Sequence, residues 1–566
     1  LTDAVRYRAA PFGALRGRQG NRVLSLPSGQ RRIVPDGVFS LLDQLRAFRT
    51  LSEHAENAAQ RPGTSHGRAA EIRRALEDLR RQGLLMSEEE FFRAAAPESP
   101  TAGAPIATIG IPTSGRTKLI ERCVESFSAH ARKYGRELRF IIAGADRARA
   151  EEFASAMGQA GIDPAIARFA LLGEAADLPA GMARNTGANR NVLLLECAGE
   201  AFLSVDDDTL CSFVRSPSWF DGRGLDGLII HSLGNPLEMW FGPELPASEA
   251  AEVDLLAELG RGLGPAIKEP GRLSTAEFDH STLEKLCSGK AISPIVQVGL
   301  AGDAATDSPA AWLMATGTTR ARLTATEAGY RAALASRRIL ASAPCETVSA
   351  SRQLMSYCIA LDHRETLPPF PPLGRDQDGV FGAWERIVEP NSFTLHVPFS
   401  VVHEPAEARS FPPGELRPPR GMFLNEVLYL LCEDSEPGAA KRTAADRMRW
   451  IGSVLEEAGS LPVADFEAFL AERRIRSLSR RIGHLEGALK TFGSRPAWWV
   501  QDVQRFLRRW EEEMAEADVL RYAEPGASPP EDAARFFRNY VGWCGRLLRE
   551  WLAMREAAMR LRRRNQ

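Results

Sequence analysis

Three consecutive aspartates, Asp206, Asp207 and Asp208, follow the apolar run of "EAFLSVDDDTLC". Like charges at contact distance repel, so such a cluster persists only where water or a cation offsets it. An exposed turn is the plain explanation. A divalent-metal site is the sharper one, because carboxylate oxygens suit Mg2+ or Mn2+ beside a phosphate.

The elements around the acids decide between the two. "APIATIGIPTSGR" opens with an apolar run, Ile106 to Ile111, that reads as a buried strand, and "PTSGR" is the turn after it. "TKLIERCVESFSAHARKYG" has helical period up to Gly135, and "LRFIIAGAD" is a second buried strand. This β-α-β unit predicts a parallel sheet, whose ligands bind at the carboxyl ends of the strands. Pro112–Gly115 and Asp146 both fall at such ends. "MARNTGANRNVLLLECA" then reads as a helix carrying Arg184 and Asn185 in its first half, and "AFLSV" as a third buried strand. The aspartates therefore sit where the sheet presents its ligands, which favours function over a surface turn. No P-loop or dinucleotide fingerprint occurs, and the "GTT" and "GLAGD" runs read as turns.

The order "IGIPTSGR", "ARNTGANRN", "FLSVDDDTL" resembles a glycosyltransferase of the GT-A fold, most like the inverting family-2 enzymes. The resemblance covers about 105–215 well and the rest of the middle segment loosely. It implies an α/β fold, a nucleotide-sugar-binding mixed sheet flanked by helices, and a nucleotide-diphosphate sugar donor, with a UDP-sugar favoured. It also implies roles. Asp208 binds the Mn2+ or Mg2+ that bridges the diphosphate. Asp206 contacts the ribose or a metal-bound water, with Asp207 beside it on the donor. Pro112 and Thr113 border the base, Arg184 reaches the nucleotide or diphosphate, and Asp146 lies near the base. At Asp146 this chain has "AGAD" where the family shows consecutive acids or D-G-S. The family's downstream acidic pair corresponds to "GRDQDGVF", which makes Asp378 the candidate base and Asp376 the second; helix N-capping is the competing role for both. His403, at the end of "PFSVV", is the candidate that completes the metal shell, ahead of His396; a histidine at a strand end is as readily a structural residue.

The chain has 566 residues, 44% hydrophobic and 25% charged, with a formal net charge of -2. That suits a globular protein of two to four domains and gives no global field toward nucleic acid or membrane. No stretch is long and apolar enough to span a bilayer. The start, "LTDAVRYRAAPFGAL", lacks a signal-peptide core and begins without Met, which leaves room for trimming. Eight scattered cysteines without a C-x-x-C pair argue against zinc and disulfides and for a reducing cytoplasm. The Ala/Pro-rich 93–104 stretch and the Pro-rich run around 405–420 divide the chain into 1–92, 105–410 and 416–566. The last segment reads as all-α, with Phe466, Phe469, Leu470, Leu478, Ile482, Leu485 and Leu489 on one face; its basic tail reads as a solvated helix end, and its role, covering the acceptor cleft or forming a homodimer, stays open. Between 215 and 370, Trp240 and Phe241 are candidates for stacking on an acceptor, though such aromatics are more often core. Asp303 and Asp307 receive no role.

In 1–92, "NRVLSLPSG" and "QRRIV" read as a hairpin turning at Pro27–Gly29, followed by three helices in "DGVFSLLDQLRAF", "LSEHAENAA" and "GRAAEIRRALEDLRRQGLL". This pattern resembles the PqqD-like winged-helix modules, which take an extended leader peptide as an added strand. The resemblance implies an acceptor Ser, Thr or Cys in a ribosomally made peptide, tethered near the cleft. A saccharide of a surface polymer as acceptor, a sugar nucleotidyltransferase, and a scaffold or DNA-binding winged helix are the alternatives. "PTSGR" is a poor version of a nucleotidyltransferase loop, and no strongly basic recognition helix speaks for DNA.

Overall fold

The computed structural model describes residues 4–565 apart from 18–19, 26–28, 30, 61–67, 98–102, 145, 179–185, 218–226, 243–244, 247–251, 307, 412–415, 417–420, 434–442, 494, 518–519 and 524–531. It is a mixed α/β structure with a large sheet, a smaller N-terminal unit and a helical C-terminal region.

In the N-terminal unit, Gly20–Ser25 pairs antiparallel with Arg31–Val34, as the hairpin expectation has it; the turn around Pro27 lies outside the described residues. A strand that the sequence pattern did not reveal, Phe12–Gly17, joins on the other side of Gly20–Ser25. The expected helices are Asp36–Gln44, Leu51–Ala59 and Ala69–Arg81, and the last stops at Gly83 with φ 70°. Leu42, Leu76, Leu79, Val23 and Val34 form a core separate from the rest of the chain. A further helix, Glu88–Ala95, starts at a Ser87–Glu90 capping box and runs past the expected boundary at 92, because its acidic first turn and its buried Phe91 and Phe92 favour helix over linker. The unit is fastened to the middle segment by Arg6, which pairs with Glu88 and donates 2.7 Å to the Leu273 carbonyl, and by the buried Arg8, stacked 3.8 Å over Phe278.

The large sheet runs Ile229–His231, Thr347–Ser349, Ser392–His403, Ile292–Asp303, Cys358–Asp362, Ala201–Val205, Thr108–Pro112, Arg139–Ala143. The last three are parallel, as the β-α-β reading requires, with the crossover helix Thr117–Lys133 between Thr108–Pro112 and Arg139–Ala143. Cys358–Asp362 is antiparallel to both neighbours, Ala201–Val205 and Ile292–Asp303. Ile292–Asp303 is in turn parallel to Ser392–His403. Pro112, Ala143, Val205, Asp303 and His403 therefore all end on one edge. Gly302, at φ 126°, allows the approach there: a Cβ would stand 2.3 Å from the His403 carbonyl oxygen.

The C-terminal helices Leu424–Glu433, Ala444–Ser460, Val463–Thr491, Ala497–Ala515 and Ala533–Asn565 bear out the all-α reading of that segment. They share their apolar faces with the sheet. Trp551, Leu470 and Leu428 pack in one cluster with Phe202 and Trp384; Leu478, Leu485 and Trp499 pack in another with Leu203 and Leu395. Trp240 lies in the strand Glu238–Phe241 with Arg322 stacked 3.9 Å over it, and Phe241 packs 4.8 Å from Trp312, so both aromatics are built into the protein's own packing.

The helix Thr186–Glu196 touches the loop that precedes the downstream acids. Ala188 donates to the Pro372 carbonyl (3.1 Å), and Asn191 exchanges two hydrogen bonds with Phe370 (2.9 and 2.8 Å). Gly187 is required by the contact: a Cβ would lie 1.8 Å from the Pro371 carbonyl oxygen. Gly187→Ala should therefore lower stability by about 1–3 kcal/mol in urea unfolding through backbone overpacking, against the gain that Ala in an open helix would bring.

Candidate metal centre

The aspartates are not a solvated turn. Asp207 is 0% exposed and Asp208 5%. Asp206, half-buried, receives Arg190 Nη2 at 2.6 Å. Asp207 accepts from the Thr113 hydroxyl and from both Nε (3.1 Å) and Nη2 of Arg116. Asp208 faces His403, with 3.0 Å between Oδ1 and Nε2, and Arg116 Nη1 stands 3.5 Å from its other oxygen. One ligand atom each from Asp206, Asp208 and His403 lies within 4.8 Å of the others. Asp207 is outside this trio and serves to anchor the turn to Thr113 and Arg116.

Each partner arrives from a different element. Val205 ends the acid strand, and Asp206 N donates 2.9 Å to the Tyr357 carbonyl on the neighbouring strand's approach. His403 pairs with Thr209 across antiparallel strands, which puts its ring beside Asp208. Its Nδ1 lies 2.8 Å from the Asp303 carbonyl, an acceptor only, so Nδ1 carries a proton and Nε2 is turned to the acids. Asp303 is itself clamped: both carboxylate oxygens accept from Arg337 and Arg409 at 2.9–3.1 Å. The role left blank for Asp303 is to fix the strand end that orients His403.

Burial raises the Asp206 pKa above its ordinary value against the pull of Arg190, and the Asp208 charge adds to the rise. Asp208 is also opposed by burial, yet its hydrogen bond to His403 and the charges of His403 and Arg116 bring it down to about 2. For His403, burial works downward, and the Asp208 hydrogen bond and the two carboxylates overcome it, so its pKa is raised. Cys123, whose Sγ lies 3.8 Å from the Asp206 carbonyl, is pushed up to about 12 by burial and the aspartates, which removes it as a nucleophile.

Other expected site residues lie nearby or elsewhere. Thr113 joins the site through its hydroxyl, and Pro112 ends the adjoining strand, in register with Ala143. Asp378, half-buried, accepts at Oδ2 from Ser356 N (3.0 Å) and Oγ (3.2 Å) and at Oδ1 from Gly379 N (3.1 Å). The Ser356 carbonyl in turn accepts from Arg190 Nη1 at 3.2 Å, so one residue links Asp378 to the guanidinium that holds Asp206. Asp376 is exposed and left-handed at φ 57°. Asp146 is exposed and caps the helix Arg147–Gln159. His396 is buried with neither ring nitrogen hydrogen-bonded among the described residues, and burial takes its pKa down to about 3. Arg184 and Asp307 lie outside the described residues.

Arg116 and Arg190 escaped the sequence reading. Arg190 carried a usable signal: it sits in a helix buried from Gly187 to Leu195, and a buried guanidinium demands an acid. Arg116 carried a weaker one, a cation in the turn facing three acids.

A Mn2+ or Mg2+ ion fits this donor set: two carboxylates and an imidazole whose second nitrogen is already fixed to a carbonyl. The mixed oxygen and nitrogen ligands favour Mn2+ over Mg2+. No family model matches the chain, and no curated protein or solved structure matches it. No described helix is long and apolar enough to cross a membrane, and all eight cysteines are free.

In the metal-free protein the His403 pKa is raised above its unfolded value of 6.5, so its pairing with Asp208 contributes fully below pH 6.5 and is lost as pH rises through the folded value. Asp208 acts in the opposite sense: its contribution is present above 3.8 and lost as pH falls toward about 2. Urea unfolding of chelator-treated protein should show stability falling above pH 6.5, and His403→Gln should flatten that slope. An unchanged slope in the variant would show that His403 is not the titrating group.

Proposed function

We propose that the chain is a metal-dependent glycosyltransferase that moves a sugar from a nucleotide-diphosphate donor, a UDP-sugar by preference, to a Ser, Thr or Cys side chain of a ribosomally made peptide held by the N-terminal unit. The observation that carries the first half is the convergence of Asp206, Asp208 and His403 at the carboxyl edge of the sheet. A divalent cation held there by Asp206, Asp208 and His403 would neutralise charge on the departing diphosphate. Arg116, half-exposed beside Asp207 and Asp208, supplies a second positive charge on that side. Thr113 and Pro112 line the approach for the nucleotide.

Transfer with inversion needs a base that takes the proton of the acceptor hydroxyl or thiol as the new bond to the sugar carbon forms and the bond to the phosphate oxygen breaks. Both oxygens of Asp378 are engaged by Ser356 and Gly379. Asp376, two residues before it on the same turn, is the more solvent-exposed of the two and is the base in this reading. Asp378 then holds Ser356, and through it Arg190.

The peptide half rests on the N-terminal sheet. Arg31–Val34 is an edge strand that presents Arg31, Arg32 and Ile33 outward, with Ile33 66% exposed. An added strand from an acidic, partly apolar leader would meet complementary charge and an apolar anchor there.

Asp208→Asn should cut Mn2+-dependent hydrolysis of a UDP-sugar by at least about a hundredfold with a cooperative melting transition retained, and chelator should do the same to the parent protein. Asp376→Asn should lower transfer by about 10²–10⁴-fold while UDP–Mn2+ binding, read by calorimetry, persists. Activity indifferent to Asp208→Asn and to chelator would remove the metal role. Release of pyrophosphate from a nucleoside triphosphate and a sugar phosphate would replace transfer with nucleotidyl chemistry.

Ile33→Asp should leave donor hydrolysis unchanged and weaken transfer to a leader-bearing peptide at least about tenfold. Equal transfer by this variant and the parent would remove the leader-binding role of that edge.

A further inference from the structure

A cavity of about 340 Å³ lies between the α/β segment and the C-terminal helices. Asp376, Gly379 and Val380 line one side, and Met314 and its neighbours on the Pro309–Met314 turn line another. Phe423, Tyr429, Phe506 and Trp510 close it from the C-terminal region. Its size is at the lower end of small-ligand sites, about 300–1,000 Å³.

Two routes tie the cavity to the aspartate cluster. Asp376 shares its turn with Asp378, which reaches Asp206 through Ser356 and Arg190. Ser308, also in the wall, follows the Asp303 segment whose carbonyl holds His403. The C-terminal helices fix this junction. Asn425 Nδ2 donates to the Leu373 carbonyl (2.9 Å) and the Arg375 carbonyl (2.6 Å), directly ahead of Asp376. Tyr540 Oη donates to the same Leu373 carbonyl and contacts Asn425 Oδ1 at 3.0 Å.

The chemistry of the wall selects its occupant. Its cations are matched by its acids: Arg474 pairs with Glu513, and Arg481 with Glu426 at 3.3 Å. Beside these pairs the wall holds Ser308, Asn425 and Ser477, and the rest is mainly aromatic and aliphatic surface, with the Asp376 carboxylate at one end. A charged group entering would be desolvated against charges already paired, whereas an aromatic one would gain contact on several ring faces.

We infer that this cavity is the acceptor's specificity pocket: it takes an uncharged aromatic or branched-aliphatic side chain neighbouring the Ser, Thr or Cys that is modified, and so sets the accepting hydroxyl or thiol at Asp376. The inference rests on the transferase reading for the identity of its occupant. The C-terminal helices thereby read the core of the substrate peptide, while the N-terminal edge strand holds its leader.

The test uses the full chain and calorimetric titration with three blocked peptides: N-acetyl-Phe-Ser-Phe-amide, N-acetyl-Asp-Ser-Asp-amide and N-acetyl-Lys-Ser-Lys-amide. The phenylalanine peptide should bind at least about tenfold tighter than either charged one. Ala311→Trp, at an exposed position of the rim, and Ser477→Phe, in the wall, should each weaken it at least about tenfold, with folding checked by melting temperature. Equal binding of all three peptides, no binding of the phenylalanine peptide, or unchanged binding in both folded variants overturns the pocket. UDP and Mn2+ titrated into the parent protein report the transferase reading separately: their failure to bind beside a retained phenylalanine preference removes the transferase and leaves the pocket, and binding without that preference does the reverse.

Discussion

Three carboxylates taken out of bulk water at one strand end set the terms for the rest of the structure. Removing a single ion from water costs several kcal/mol, and close pairing with good hydrogen bonds is what offsets it. Arg190, Arg116, Thr113 and His403 supply the pairing for Asp206, Asp207 and Asp208. They come from the helix Thr186–Glu196 that directly precedes the acid strand, the turn after the first strand of the sheet's parallel half, and the last long strand. The cluster therefore forms only when these elements are in register, and the register is enforced where side chains would obstruct it, at Gly187 and Gly302.

Much of this was legible in the sequence where a signal is local. Apolar runs of five residues bounded by turns gave the strands Thr108–Pro112, Arg139–Ala143 and Ala201–Val205, and helical period gave Thr117–Lys133. The position of the acids at a carboxyl end followed from the order of those elements. His403 was reachable because it closes a strand-like run. What escaped is non-local. That Arg190 bonds Asp206, or that Asp303 lies under His403, depends on which strands are neighbours, and Cys358–Asp362 enters the sheet antiparallel more than 150 positions after Ala201–Val205. The strand Phe12–Gly17 escaped for another reason: "FGALRG" has neither a steady alternation nor β-branched residues.

The helical region illustrates the same limit. Its amphipathic period was plain, and Phe466, Leu470, Leu478 and Leu485 are buried as that period requires. Period tells which face is covered, not by what. The faces close over the sheet's helices and over the loop 370–376, so Asn425 and Tyr540 become part of the support of the acidic turn. A segment that looks like an appended domain in one dimension is in three dimensions the back wall of the site.

The charges of the cluster impose an order on ligand binding in the proposed transferase. With His403 protonated, its imidazolium and the guanidiniums of Arg116 and Arg190 balance the three aspartates. Exchange of that proton for a divalent cation held by Asp206, Asp208 and His403 would leave one net positive charge at the same place. A diphosphate would thus meet a neutral, self-satisfied site before the exchange and an attractive one after it. The raised pKa of His403 makes the exchange harder as pH falls, because the Asp208 contact that would hold the cation is also the contact that holds the proton. In that reading cation and proton would compete for one nitrogen, and the strength of donor binding would follow the outcome of that competition.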